Sequence, residues 1–305
     1  MLPPLPVYNQ LINLPELREK NIQLTIKRLD RAHSEISGNK WYKLKHNLYE
    51  AKKQGHTQLL TFGGAYSNHI YATAAAAKSS GLNAIGIIRG DENMPLNPTL
   101  SYAKASGMKL HYLSRSAYRE KSSGFILNQL REKFGDFYLL PEGGTNALAI
   151  KGTKEILQDK DFEADILCTS IGTGGTLAGL LATAKASQKV MGFSSLKGEF
   201  IQGEVQKLIE IYKINTACEY EILTSYHFGG YAKFTPEMIA FILSFKRSTG
   251  IPLDPIYTGK MMYGLLDLIQ KGAIPEGSKI LALHSGGLQG IEGFNKRFGT
   301  QLPST

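Results

Sequence analysis

The sequence is poor in cysteine and in paired histidines, and both shortages exclude classes of protein. Cys168 and Cys218 are the only cysteines among 305 residues, and they show no CxxC spacing. So few cysteines cannot build a disulfide scaffold or a structural zinc site, and they predict buried thiols in a reducing compartment. No histidines stand at the HxxxH spacing, so we expect no metal site.

Long apolar runs are also missing. No stretch approaches the roughly 20 apolar residues that are needed to cross a bilayer. The start, residues 1–6, lacks a basic segment followed by an apolar one. We therefore expect no membrane association and a cytoplasmic location. The hydrophobic fraction of 42% and the charged fraction of 20% are typical of a folded globular chain, and the length allows two domains.

Positive charge exceeds negative charge by 9, which raises the question of a nucleic-acid partner. The lysines are spread among acidic residues, and the densest cluster consists of Lys40, Lys43 and Lys45. Positive potential also favours an anionic substrate or cofactor. We predict such a small anionic partner and no nucleic acid.

Short apolar strands alternate with helix-like stretches, which is typical of a parallel sheet covered by helices. Alanine-rich residues 71–79 and residues 123–133 predict two of the helices. No repeat and no low-complexity linker interrupts the chain, so we expect two domains with a broad interface. The predicted strands are 59–62, 84–88, 108–113, 137–140, 165–170, 190–193 and 280–284.

A glycine loop, 172–176, follows one of these strands and precedes a helix. Free backbone N–H groups and the helix dipole favour an anion at such a place. No Gly-Lys-Ser/Thr follows, and position 177 is Leu, so the loop is neither a Walker A motif nor a dinucleotide fingerprint. The loop therefore predicts a phosphate outside a nucleotide, with an ordinary tight turn as the alternative.

Two further segments place polar groups at predicted helix starts. Lys40 opens a helix for which Ser37 is the predicted N-cap. A second glycine turn, 63–68, ends a strand and brings Ser67 and Asn68 to another helix start. Taken singly, these residues have the simpler reading of a surface lysine and a helix cap.

Taken in order, the segments resemble the fold-type II enzymes that use pyridoxal phosphate, most closely the 1-aminocyclopropane-1-carboxylate deaminase and D-cysteine desulfhydrase family. The resemblance covers nearly the whole chain. Its landmarks are Gly38-Asn39-Lys40 with Lys43-Leu44, Gly63-Gly64 with Ser67-Asn68, Thr173–Thr176 with Ala178-Gly179, Asp254-Pro255 with Tyr257 and Gly259-Lys260, and His284 with Gly286-Gly287.

The resemblance implies an α/β fold of two three-layer domains with mainly parallel sheets, similar to the tryptophan synthase β subunit. Pyridoxal 5'-phosphate is expected in the cleft between the domains. The implied large, cofactor-binding domain comprises residues 1–47 and 148–305, and the smaller α/β domain comprises residues 48–147. Homodimers are common among such enzymes, so we expect a homodimer.

The resemblance also implies roles for single residues. Lys40 is the expected attachment point of the cofactor's aldehyde, since a desolvated lysine can act as an amine nucleophile. Asn68 is expected to bind the phenolic oxygen of the cofactor. Ser67 and Tyr257 are expected to grip the substrate or move protons. The backbone N–H groups expected to bind the phosphate belong to Thr173, Gly174, Gly175 and Thr176.

Ser285 follows the last predicted strand, where the resemblance implies a hydroxyl against the pyridine nitrogen. A hydroxyl holds that nitrogen protonated less well than a carboxylate does, which favours elimination of a β-leaving group. The implied activity is that of a lyase or hydrolase that acts on a small amino acid and releases a 2-oxo acid and ammonia, as in D-cysteine desulfhydration or aminocyclopropane-carboxylate deamination. A catalytically weak protein that binds the cofactor or an amino acid is the alternative.

Two positions depart from the family pattern. The family usually carries a tyrosine seven residues after the final Gly-Gly pair, where this chain has Phe294, and a glutamine where this chain has Tyr66. Tyr66 is therefore a candidate replacement phenol, and ring opening of a cyclopropane is less expected. The remaining candidate substrate residues are His69, Thr145 and Asn146.

Overall fold

The computed structural model describes residues 5–92 and 94–304. Residues 1–4, which belong to the segment 1–6 inspected above for a basic and an apolar stretch, lie outside the described residues. Ten strands occur within the described residues. They are β1 (Asn9–Ile12), β2 (Gln23–Lys27), β3 (Gln58–Gly63), β4 (Asn83–Arg89), β5 (Met108–Leu113), β6 (Tyr138–Leu140), β7 (Ile166–Ile171), β8 (Lys189–Ser194), β9 (Glu219–Leu223) and β10 (Lys279–Leu283).

Helices separate most of these strands. In the same described ranges they are α1 (Pro15–Glu19), α2 (Asn39–Lys53), α3 (Asn68–Ser80), α4 (Pro98–Ala105), α5 (Arg115–Arg119), α6 (Gly124–Phe134), α7 (Ala147–Thr153), α8 (Gly175–Leu181), α9 (Phe200–Ile211), α10 (Pro236–Thr249), α11 (Thr258–Gln270) and α12 (Ile291–Phe298).

The strands form two sheets, one of six strands in the order β1-β2-β10-β7-β8-β9 and one of four in the order β5-β4-β3-β6. Neighbouring strands run parallel, except that β1 is antiparallel to β2. All six residues of β7 are buried, as expected for a parallel strand covered on both faces. The predicted α/β class with mainly parallel sheets is confirmed.

Helices cover both faces of each sheet. Successive side chains of a strand point to opposite faces. Leu59 therefore packs in one cluster with Ile70 of α3, while Leu60 packs with Ile126 of α6. The larger sheet repeats this arrangement, with α8 on one face and α11 on the other. The cluster around Leu59 also contains residues of β7 and β10, so one core layer joins the two sheets.

The four strands of the smaller sheet all fall between residues 58 and 140, whereas the larger sheet takes strands from before and after this segment. The domain boundaries at 47/48 and 147/148 stay a prediction. Cys168 and Cys218 are free and buried, as predicted.

Helix α2 begins differently from the prediction. Ser37 was the expected N-cap, but Gly38 occupies that position with a φ of 70° and no side-chain cap. The hydroxyl of Ser37 instead donates to the carbonyl of Asp30 at 3.1 Å. A Cβ at position 38 would lie 1.9 Å from the carbonyl oxygen of Ser285, so this entry into the helix requires glycine.

Candidate active site

A cavity of about 340 Å³ opens where the carboxyl ends of strands from both sheets face each other. Ligands of α/β proteins commonly bind at this edge of a sheet. The predicted site residues that line the cavity are Lys40, Ser67, Asn68, His69, Thr173, Gly174, Gly175, Thr176, Tyr257 and Ser285.

Lys40 lies in the cavity wall one residue inside α2. Its Nζ donates to Oδ1 of Asn39 at 2.8 Å, and Nδ2 of Asn39 donates to Oγ1 of Thr176 at 2.8 Å. Burial lowers the pKa of Lys40 to about 8, although the carboxylate of Asp254 opposes this shift. A larger share of the amine is therefore neutral near physiological pH, which is the state that attacks an aldehyde.

Lys43 lies one helical turn further on and is 2% exposed. Its Nζ donates to the carbonyl of Gly143 and to Oγ1 of Thr145, each at 3.0 Å. Burial and the charge of Lys40 hold the pKa of Lys43 well below its usual value. No carboxylate pairs with it among the described residues. A buried amine without a carboxylate partner fits an anionic ligand, because the charge of the anion favours the protonated form that burial disfavours.

The glycine loop meets this ammonium. Gly174 has a φ of 79° at the N-cap of α8. A Cβ at position 175 would lie 2.7 Å from Oγ1 of Thr145 and 3.0 Å from Nζ of Lys43. Glycine thus lets the loop backbone and the lysine face the same small volume, and this combination fits a phosphate group.

Asn68 and Ser285 lie in other parts of the wall. Nε2 of Gln289 donates to Oδ1 of Asn68, which fixes the amide and leaves its N–H groups as donors. The hydroxyl of Ser285 lies 3.1 Å from that of Ser170, which also lines the cavity. An amide donor and a hydroxyl pair fit the oxygen and nitrogen atoms of a pyridoxal ring.

Ser67 combines a structural role with a place in the wall. Its Oγ accepts from the backbone N–H of His69 at 3.2 Å and of Ile70 at 3.3 Å, so it caps α3. These bonds use the lone pairs of the oxygen, and the O–H group remains a donor.

Tyr257 and His69 are held in their neutral forms. Burial and the neighbouring phenol of Tyr231 raise the pKa of Tyr257 well above its usual value. Burial and the two cavity lysines hold the pKa of His69 well below its usual value. Nε2 of His69 lies 2.8 Å from Oγ1 of Thr61, whereas its buried Nδ1 has no hydrogen-bond partner.

Thr145 and Asn146, which are predicted to meet the cofactor or the substrate, do not line the cavity, and their contact with either stays a prediction. Oγ1 of Thr145 accepts from Lys43 and lies 2.7 Å from Oγ1 of Thr173, so it supports the wall from behind. Asn146 caps α7 by accepting from the backbone N–H of Ala149 at 2.8 Å. Both side chains are engaged in holding other elements.

Tyr66 and Phe294 also lie outside the cavity wall. Tyr66 packs against α12, with its ring 3.1 Å from where a Cβ of Gly293 would stand. Phe294 is 4% exposed, and its ring lies 5.0 Å from that of Phe234. The apolar face of α12 directs Phe294 into the core. A contact of either side chain with a substrate stays a prediction.

The cavity wall contains residues whose roles the sequence did not indicate, namely Arg89, Glu142 and Tyr231 as well as Lys43. Arg89 ends β4, and Glu142 follows β6 by two residues. Ligands bind at the carboxyl ends of parallel strands, so these positions could have predicted that both side chains lie at the site. Tyr231 lies in an irregular loop that carries no periodic pattern. Lys43 was noted as a landmark, and its spacing of three residues from Lys40 was the available clue.

Within residues 5–92 and 94–304, no helix is long and apolar enough to cross a membrane. The same residues contain no group of three or more histidine, cysteine, aspartate and glutamate side chains that could hold a metal ion.

Comparisons with known proteins agree with the geometry. Residues 4–286 match the family model described as pyridoxal-phosphate dependent enzyme. A putative 1-aminocyclopropane-1-carboxylate deaminase of Pyrococcus abyssi is 32% identical over 91% of this chain and 88% of its own length. A bifunctional D-cysteine desulfhydrase/1-aminocyclopropane-1-carboxylate deaminase of Arabidopsis thaliana, described as mitochondrial, is 34% identical over 92% of this chain and 75% of its own length.

A solved structure shares the fold. The crystal structure of a homologue of 1-aminocyclopropane-1-carboxylate deaminase matches with a TM-score of 0.82 and 30% identity, over 97% of this chain and 94% of the other. The predicted family and the predicted cofactor, pyridoxal phosphate, are both confirmed. The chain therefore belongs to the pyridoxal-phosphate dependent enzymes.

Proposed function

We propose that the chain is a deaminase or lyase that acts on a small amino acid and releases a 2-oxo acid and ammonia. The names of its relatives support this class of reaction. The observation that carries the proposal is the pair of lysines in one cavity, the buried Lys43 next to the glycine loop and the half-buried Lys40 beside an asparagine. Such a pair provides both an amine nucleophile and an anion site.

The residues of the cavity divide the work of holding the cofactor. Lys40 is the proposed point of attachment, and Lys43 with residues 173–176 is the proposed phosphate site. Asn68 and Ser285 are the proposed ring contacts. When bound, pyridoxal phosphate supplies an aldehyde that condenses with amines and a ring that withdraws electrons from the attached amino acid.

Three groups are proposed to handle the substrate and its protons. Lys40, with its pKa near 8, accepts and returns a proton close to physiological pH. Ser67 offers its O–H group to the carboxylate of the substrate. Tyr257 stays protonated because its pKa is raised, so it can donate a proton to a departing group.

The alternative of a catalytically weak binding protein is not favoured, since the relatives are named as enzymes. The candidate amino acids are D-cysteine, D-serine and aminocyclopropane-carboxylate. The hydroxyl of Ser285 supports β-elimination over reactions that need a protonated ring nitrogen.

An absorption spectrum with substrate trials tests the proposal. We expect a visible band that borohydride shifts, that disappears in Lys40→Ala, and that accompanies release of a 2-oxo acid from one of the three amino acids. Lys45→Ala is the matched control, because Lys45 belongs to the same helix but pairs with Glu155. A Lys40-dependent band without any product would support the binding protein instead. A band that persists in Lys40→Ala would overturn the assignment of Lys40.

We further propose a homodimer in the cytoplasm, with domains formed by residues 1–47 with 148–305 and by residues 48–147. The position of the smaller sheet within residues 48–147 supports these boundaries. Light scattering of the purified protein tests the dimer, and a mass equal to one chain would contradict it. Expression of residues 48–147 alone tests the boundaries, and a fragment that shows no cooperative unfolding transition would contradict them.

A further inference from the structure

The loop between β9 and α10 has a strained backbone. Phe228, Gly229, Gly230 and Ala232 have φ values of 51°, 93°, 116° and 55°. Glycine adopts positive φ readily, but Phe228 and Ala232 carry a Cβ that makes this conformation unfavourable. Such strain persists only where the surroundings hold the backbone in place, and it is concentrated at functional sites.

Lys260 of α11 holds this loop. Its side chain is 1% exposed, and its Nζ donates to the carbonyl of His227 at 2.8 Å and to that of Gly230 at 2.7 Å. The nearby carboxylate of Asp254 accepts from the backbone N–H groups of residues 256–258 instead. The buried ammonium is thus directed at the loop backbone, where bonds to a charged donor are stronger than neutral ones.

The loop brings a phenol to the cavity. Tyr231 follows Gly230 directly and lines the cavity, where its ring lies 6.2 Å from that of Tyr257 at an angle of 66°. The residue keeps 40% of its surface exposed, so part of it faces the open side. Arg89 and Glu142, which come from the smaller sheet, line the same cavity.

A Cβ at Gly172, the first residue of the glycine loop, would lie 3.1 Å from the ring of Tyr257, and a Cβ at Gly64 would lie 4.0 Å from the guanidinium of Arg89. An aromatic face, a phenolic O–H and a guanidinium together recognise a small polar or anionic substituent. In the proposed function, Ser67 binds the carboxylate of the substrate amino acid and the cofactor binds its amine. The side chain of the substrate is then the one group without a partner.

We propose that Tyr231 contacts the side chain of the bound amino acid, and that Lys260 is a positioning residue that holds Tyr231 there through the backbone of residues 227–230. This inference rests on the proposed function, because it assigns a specificity residue to that same cavity.

A double-mutant cycle tests the inference. Tyr231→Phe removes only the hydroxyl, and Lys260→Met removes the two bonds to the loop while keeping most of the side-chain volume. We expect each change to raise KM about tenfold and to alter kcat much less. The amino-acid concentration that half-saturates the change in cofactor absorbance should rise by the same factor. We expect the double variant to be no weaker than Lys260→Met alone. A combined effect of about a hundredfold would overturn the linkage, since independent sites multiply.

Hydrogen exchange provides a readout that needs no turnover. Peptides that cover residues 226–232 should exchange faster in Lys260→Met than in the wild-type protein. In Lys260→Arg, which keeps a charged donor, they should exchange more slowly than in Lys260→Met. Lys207→Met is the control, because Lys207 is an exposed lysine of another helix, α9, and pairs with Glu204. Unchanged exchange in Lys260→Met would overturn its positioning role.

The two readouts separate failure of the inference from failure of the proposed function. If the wild-type protein converts none of the amino acids, the proposed function fails while the exchange and binding measurements still test Lys260 and Tyr231. If Lys260→Met does not fold, Tyr231→Phe alone decides the contact, and an unchanged KM for every amino acid would overturn it.

Discussion

At the scale of single residues, two lysines of α2 share one cavity but have different partners. Lys40 donates to an asparagine side chain, and Lys43 donates to a backbone carbonyl and a threonine hydroxyl next to the glycine loop. The two amines can therefore be tested separately, one by its reaction with an aldehyde and the other by its attraction for an anion.

Lys43→Met should weaken binding of pyridoxal phosphate at least tenfold, because a hydrogen bond to a charged group contributes about 1.5–3 kcal/mol. Binding of pyridoxal, which lacks the phosphate, should change little. The measurement is a titration of the apoprotein followed by absorbance. Lys45→Met is the control, because Lys45 lies in the same helix and pairs with Glu155. An equal loss for both ligands would contradict a phosphate site at Lys43.

The reaction of Lys40 with the cofactor should depend on pH in a defined way. Only the neutral amine attacks an aldehyde, and burial lowers the pKa of Lys40 to about 8. The rate of cofactor attachment to the apoprotein should therefore rise between about pH 7 and 9 and then level off. Stopped-flow absorbance measures this rate. A rate that continues to climb to about pH 10.5, the usual pKa of a lysine, would show that burial does not shift the group.

At the scale of elements, the start of α2 depends on the contact between Gly38 and the end of β10. The backbone N–H of Asn39 donates to the carbonyl of Ser285 at 3.1 Å, and a Cβ at position 38 would collide with that carbonyl. The contact joins the helix that carries Lys40 to the larger sheet, so a change here affects folding and the site together.

Gly38→Ala should reduce the free energy of unfolding by about 3 kcal/mol or more, because positive φ and a steric clash both act at this position. Cofactor absorbance should fall with it, since Lys40 is displaced. Gly81→Ala is the matched control, with a φ of 68° and no atom within 4 Å of the added Cβ, and it should cost only about 1 kcal/mol. Urea unfolding measures both, and equal losses would mean that strain alone, without the clash, explains the effect.

The elements predicted from the sequence are those with a buried apolar pattern. The strand at 59–62 lies within β3 and reads as a short, mostly apolar run before a glycine turn. The strand predicted at 108–113 coincides with β5, in which apolar residues alternate with Lys109 and His111. Three of the described strands were missed. The short strands β1 and β9 lie at the two edges of the larger sheet and mix polar with apolar residues. Strand β2 lies inside the sheet, but its sequence QLTIK alternates polar with apolar residues and has no apolar run. Ser37 was wrongly taken as a cap because a clash between distant backbone segments, which no local pattern records, decides that turn.

At the scale of the whole molecule, the cavity collects side chains from both sheets, so a ligand bound there contacts both halves of the fold. Asn68 and His69 come from the side of the smaller sheet, while Thr173 and Ser285 follow strands of the larger one. A molecule that binds the folded chain alone shifts the unfolding equilibrium of the whole protein.

Pyridoxal phosphate at 100 times its Kd should therefore raise the free energy of unfolding by about 2.7 kcal/mol. Thermal unfolding followed by circular dichroism should show one transition that moves to higher temperature with the cofactor. Lys40→Ala should show a smaller shift at the same concentration. A second transition that stays fixed would indicate that one half unfolds independently of the site.

The site was predictable to the extent that it follows from motifs with a fixed order. Lys40, Asn68 and the glycine loop stand in such motifs, and the structure brings them into one cavity. Phe294, a predicted substrate residue, lies in an aromatic cluster, whereas Tyr231, for which the sequence suggested no role, lines the cavity. Their positions depend on how α12 and the loop before α10 pack, and this is a property of the assembled fold.

The spacing of Lys40 and Lys43 has a consequence for which molecules the chain can select. Residues three apart lie on the same face of a helix, about 4.5 Å apart along its axis. Helix α2 therefore sets the separation between the Lys40 and Lys43 side chains. A ligand fits only if the distance between its carbonyl and its anionic group matches this separation. Inserting one residue between the lysines would rotate Lys43 by about 100° around the helix axis relative to Lys40. Recognition of the aldehyde and of the phosphate can therefore be lost together by a single change in chain length.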